Sequence, residues 1–107
     1  MGMSRIYERR MADVLDRLER EGYDDQFRGE PAGIRGMKTG LLHRPQDLEI
    51  TESERFEGIS DPADETLVLA LRCTAHGCRG TYVVPYGKDM PSTDATFIAR
   101  IPDARRR

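Results

Sequence analysis

Residues 66–73, Thr-Leu-Val-Leu-Ala-Leu-Arg-Cys, hold five consecutive apolar side chains with no polar face. The run is too short for a good helix, so it predicts a central strand covered on both sides. Such a strand needs neighbours. "GTYVVPYG", residues 80–87, supplies one, and the four residues Thr74–Gly77 between Cys73 and Cys78 predict a hairpin with Gly77 at a positive φ. Pro85 cannot donate a ladder hydrogen bond, so its end of the strand is expected at an edge or a terminus.

Upstream, "LEITESERFEG" alternates, which predicts a strand over 47–57 with Leu48, Ile50 and Phe56 on one face. That parity also sets Glu52 and Glu54 on the apolar side. Residues 34–43 predict a further strand interrupted by Gly36 and Gly40. The stretch 24–33, "DDQFRGEPAG", reads as polar and turn-rich, with Phe27 anchoring it to the core. Two helices flank these strands. Over 4–21, Tyr7, Met11, Val14 and Leu18 recur at helical spacing, with Leu15 widening the stripe and Ser4 as N-cap. Gly22 is the expected stop, and Tyr23 is expected to fold back over Leu18. Phe97, Ile98 and Ile101 predict a short helix over about 93–101, capped by Ser92 or Thr93. The expected fold is therefore α+β and a single domain over 1–107. An N-terminal amphipathic helix packs on a small three- or four-stranded antiparallel sheet (34–43, 47–57, 66–73, 79–85), with a short C-terminal helix and a solvated tail, 102–107.

With 107 residues, 37% of them apolar and 34% charged, the core is small, a profile in which self-association supplies further burial; a homodimer is expected. Net charge is −2, but it is segregated. Residues 46–65 carry eight acids against Arg55 alone, whereas residues 66–107 carry seven bases against three acids. An acidic centre argues against a nucleic-acid groove across the whole domain. No apolar run approaches the ~18–20 residues of a membrane span, and no signal-peptide pattern is present, so a cytoplasmic protein is expected. Two cysteines do not make a disulfide framework. Phosphate-loop, dinucleotide, zinc-protease and nucleophile-elbow motifs are absent from the sequence.

Three groups of residues could carry chemistry. "RCTAHGCRG" places His76 between Cys73 and Cys78, but zinc needs four ligands, so a fourth would be His43, a carboxylate or a dimer mate. The C-x4-C spacing is not the C-x-x-C redox signature. A plain hairpin tip is the favoured reading, an air-formed disulfide or a metal at Cys73, His76 and Cys78 the alternatives. The second group, Asp61, Asp64 and Glu65 in "SDPADE", could hold Mg²⁺ or Ca²⁺, although the loop lacks the alternating ligands and glycine of a calcium loop and turn geometry alone accounts for Asp and Pro there. The third is Glu52. A carboxylate on an apolar face lies at the sheet margin, pairs with an arginine, or keeps a raised pKa for catalysis, and margin or pairing is favoured. With His43 and Arg55 nearby it would mark a pocket.

From "LDRLEREGYDDQF" through "LHRPQDLEITESERFEGISDPADETLVLALRC" to "RGTYVVPYG", the chain resembles a group of small bacterial proteins often labelled phosphoribosylpyrophosphate synthetase. Arg55–Asp64 carries the most specific part of that likeness, and the Cys/His tip lies outside it. "FEGISDPADETLVLA" is similar to the divalent-metal and ribose-binding segment of the true synthetases. The resemblance implies a binder or enzyme of a phosphorylated sugar or nucleotide, with Mg²⁺ at Asp61, Asp64 and Glu65. The residues themselves favour a non-catalytic binding or interaction domain without a cofactor.

Overall fold

The apolar run lies second from one edge of a six-stranded sheet. A computed structural model describes residues 2–57, 65–87 and 90–106, without the side chains of residues 2–9 and 106. Its elements are α1 (Gly2–Arg20), β1 (Asp25–Glu30), β2 (Gly33–Gly36), β3 (Leu42–His43), β4 (Leu48–Glu57), β5 (Glu65–Cys73), β6 (Arg79–Tyr86) and α2 (Ser92–Arg100). Short 3-10 turns occupy Pro45–Asp47 and Ala104–Arg106. The strand order is β3-β2-β1-β6-β5-β4, with β1 parallel to β6 and the other pairs antiparallel. No helix among the described residues is long and apolar enough to cross a membrane.

The α+β class is as expected, whereas the small antiparallel sheet is not: six strands form a mixed sheet. Two differences account for this. Residues 25–30, read as a turn-rich segment, are β1, whose inward positions are Asp25 and Phe27. A charged residue at one inward position hides the alternation. The expected strand over 34–43 is instead two strands, β2 and β3, folded back on each other around residues 37–40.

Alternate β5 side chains feed two layers. Leu67, Leu69, Leu71 and Cys73 join Phe27, Ile34, Leu48, Ile50, Tyr82 and Ile101 in the larger core, against which Phe97 and Ile98 of α2 pack. Val68 and Ala70 face the other way and meet Leu18 and Phe56, with Met11, Val14, Leu15 and Tyr23 packed around them. Burying each such leucine contributes about 1.5–3 kcal/mol. Phe56 does not share a face with Leu48 and Ile50, because a bulge between Ile50 and Glu52 inverts the parity of β4. Glu52 and Glu54, opposite Ala70 and Val68, therefore face α1.

The stripe of α1 packs as its spacing predicts, although its Tyr7 side chain lies outside the described set. Helix α1 begins at Gly2, so Ser4 lies within it and is not its cap. It ends in a Schellman motif: Tyr23 N–H donates to Leu18 O (2.9 Å) and Gly22 N–H to Glu19 O (3.1 Å), with Gly22 at φ 100°. At the other end of the chain, Pro91 precedes α2 without a side-chain cap, and Ser92 is already helical. The tail is docked at its start, since Ile50 N–H donates to Pro102 O (2.8 Å) and Asp103 bridges Ile50 in parallel.

Candidate functional site

Strands β3 and β4 are the two sheet edges, so the link through Pro45–Asp47 crosses the end of the sheet between them. Thr74 N–H donates to Asp47 O (3.0 Å), tying that link to the β5–β6 tip. Leu48, the first residue of β4, lies opposite Cys73. This path carries His43 to the cysteines, although 30 residues separate it from the first of them.

The tip itself is a tight reversal with Gly77 at φ 72°. Cys73 N–H donates to Cys78 O (2.7 Å), Gly77 N–H to Cys73 O (2.8 Å), and His76 N–H to the Cys73 Sγ (3.4 Å). The hairpin reading therefore holds for the backbone. Both cysteines are free thiols. His43 is buried opposite Ile34 and meets the Phe27 ring edge-on, with centroids 5.6 Å apart. Its Nε2 lies 3.9 Å from the Cys78 Sγ, and one ligand atom each from His43, Cys73 and Cys78 all lie within 4.8 Å of one another. The third member of the group is thus His43, whereas the His76 side chain is exposed.

Beneath this group, buried Asp25 accepts hydrogen bonds from the backbone N–H of Lys38 (2.6 Å) and Gln26 (2.8 Å) and from the Thr39 hydroxyl (3.1 Å). Those bonds fix the 37–40 turn, and with it the return of β3 and the position of His43. Burial, with a smaller effect from His76, lowers the His43 pKa against the opposing pull of Asp25 and Asp47. Burial and then Cys73 push the Cys78 thiol up to about 11. At neutral pH the imidazole is neutral and Cys78 keeps its proton.

The remaining sequence candidates do not join His43. Glu52 pairs with Arg17 of α1, which also holds Glu21 at 3.1 Å, so the pairing expectation for Glu52 is met across elements. The Arg55 guanidinium stacks over the Tyr86 ring at 4.8 Å. Arg55 lies opposite Leu67 and Glu65 opposite Tyr86, at the end of β5 remote from Cys73. Six residues of strand separate Leu67 from Cys73, about 20 Å. Hence no pocket forms from His43, Glu52 and Arg55. Asp61 and Asp64 lie outside the described residues.

A different site opens where β1 and β6 stop pairing. Their register covers Asp25–Phe27 with Gly80–Tyr82, and beyond it both strands run on without pairing each other. A cleft of about 530 Å³ lies there, beside α1. Glu19 and Tyr23 form one wall, Gln26 and Arg28 come from β1, and Val83 and Pro85 come from β6. Val83 is 41% exposed and Met37, at the rim, 50%. Among the described residues, four carboxylates (Glu19, Asp24, Asp25, Asp94) line the cleft against the single guanidinium of Arg28. Lys38 pairs with Asp24 (2.5 Å), whereas Asp25 and the Tyr82-bound Asp94 accept hydrogen bonds from neutral donors. Burial, then the Asp94 bond, raises the Tyr82 pKa, so its hydroxyl remains a donor.

The sequence reading missed this cleft entirely. Its residues come from α1, β1, β6, α2 and the turns at Tyr23–Asp24 and Met37, and their meeting depends on the parallel β1–β6 pairing that no local pattern encodes. No family model, curated protein or solved structure matches the chain.

Proposed function

We propose that this chain is a non-catalytic binding domain that receives a cationic, extended segment of a partner protein in the cleft between β1 and β6. The observation that carries the reading is the excess of carboxylates over guanidinium in a cleft bordered by strands that have parted. Parted strands offer backbone groups to an incoming extended segment, and the charge selects its sign. A volume of about 530 Å³ falls within the range of ligand sites and admits a few residues. Exposed Val83 and Met37 provide apolar contact for the stems of lysine or arginine.

Isothermal titration of the full chain with a Lys/Arg-rich peptide and its Glu-substituted counterpart tests this. The basic peptide binds, more weakly as salt rises, and Glu19→Lys lowers its affinity at least about tenfold, a loss of about 1.4 kcal/mol. Glu52→Gln leaves binding unchanged. Equal affinity for both peptides overturns the proposal. So does exclusive binding of a small polyamine such as spermine, or a dimer of the chain whose formation is blocked by Glu19→Lys.

A further inference from the structure

The geometry points to a transition-metal site of the zinc class formed by His43, Cys73 and Cys78, none of which lines the cleft. Two sulfurs and one imidazole nitrogen are the donor set for zinc or a comparably thiophilic ion, and a poor one for Mg²⁺ or Ca²⁺, which take oxygen. Around a tetrahedral zinc, sulfur and nitrogen ligands stand about 3.5–3.8 Å apart. His43 Nε2 and Cys78 Sγ are already 3.9 Å apart, and no pair in the group exceeds 4.8 Å. Closing on an ion therefore asks for movements of about 1 Å or less, within side-chain rotation.

The surroundings suit a cation. Cys73 is fully buried and its sulfur already accepts the His76 N–H. Phe27 fixes the His43 ring from its edge. The carboxylate of Asp25 is buried nearby and anchored by three hydrogen bonds. The ligands come from the end of β3, the end of β5 and the residue before β6, so an ion would lock the β3–β4 link onto the hairpin tip. Three protein ligands leave a fourth position for water or for the His76 side chain, which belongs to the same turn.

Cobalt titration of the full, reduced chain reads the site directly. One cobalt binds per chain with a thiolate-to-metal charge-transfer band and the intense visible bands of tetrahedral coordination, and zinc displaces it. Cys78→Ser, at a half-buried position, weakens cobalt binding more than about 100-fold, beyond the loss expected for an outer-shell partner. His43→Gln also weakens binding, and circular dichroism verifies that each variant is folded. In the wild-type chain, zinc slows alkylation of the half-buried Cys78 thiol by iodoacetamide, a readout that needs no variant. The absence of a charge-transfer band, a band unchanged in Cys78→Ser, or alkylation indifferent to zinc each overturns the site.

Discussion

His43 occupies a position where an imidazole is taken from water into the company of Phe27, Ile34 and a thiol. Its pKa is lowered in the folded chain, chiefly by burial. As pH falls below about 6.5 the unfolded chain takes up this proton first, so acid favours unfolding until pH reaches the lower folded pKa. Above about pH 7.5, one unit over the ordinary histidine pKa, the residue is neutral in both states and exerts no pH slope. For the metal-free, reduced chain, urea unfolding between about pH 5 and 6.5 should show stability rising with pH by up to about 1.4 kcal/mol per unit from this residue. His43→Gln removes that part of the slope, and an identical slope in the variant contradicts the burial account. In the sequence His43 stands 33 positions from the other histidine, His76. Its partners lie 30 and 35 positions away, and only the link across the sheet end brings them together. The possibility of a fourth ligand at His43 was legible from ligand counting; the geometry was not.

Among the elements, those with a strong local pattern were readable. The stripe of α1, the buried β5 and the hairpin to β6 follow from helical spacing, from an unbroken apolar run and from a glycine turn. The stop of α1 is equally local, since Gly22 adopts φ 100° so that Leu18 and Glu19 carbonyls find donors. Gly22→Ala should destabilise the chain by about 1–2 kcal/mol, because an L-residue resists this conformation. Chemical denaturation measures it, and an unchanged midpoint contradicts the C-cap assignment. Elements whose pattern is interrupted were not readable. In β1 the inward position that flanks Phe27 is Asp25, whose burial depends on hydrogen bonds from the 37–40 turn. In β4 the bulge after Ile50 converts a continuous alternation into two faces, which is why Glu52 meets Arg17 and leaves the larger core.

For the molecule as a whole, strand order decides the outcome. Segregated charge and a small core were visible in the composition, but the insertion of β1 beside β6 was not, because parallel neighbours distant in sequence leave no local trace. That insertion sets both candidate sites. Short β1–β6 pairing leaves the cleft at one end of the parallel pair, and the chain crossing from β3 to β4 assembles the His-Cys group at the other. Binding through the parted strands, as proposed, makes this insertion the feature on which function depends. Backbone amide shifts of the ¹⁵N-labelled full chain, followed during titration with a Lys/Arg-rich peptide, test it most directly. Binding there produces progressive shifts at Gln26–Gly29 and Val83–Val84, with Glu19 and Tyr23 responding beside them. Shifts confined to β4 or to the Cys73–Cys78 tip, or no shifts at saturating peptide, would contradict it.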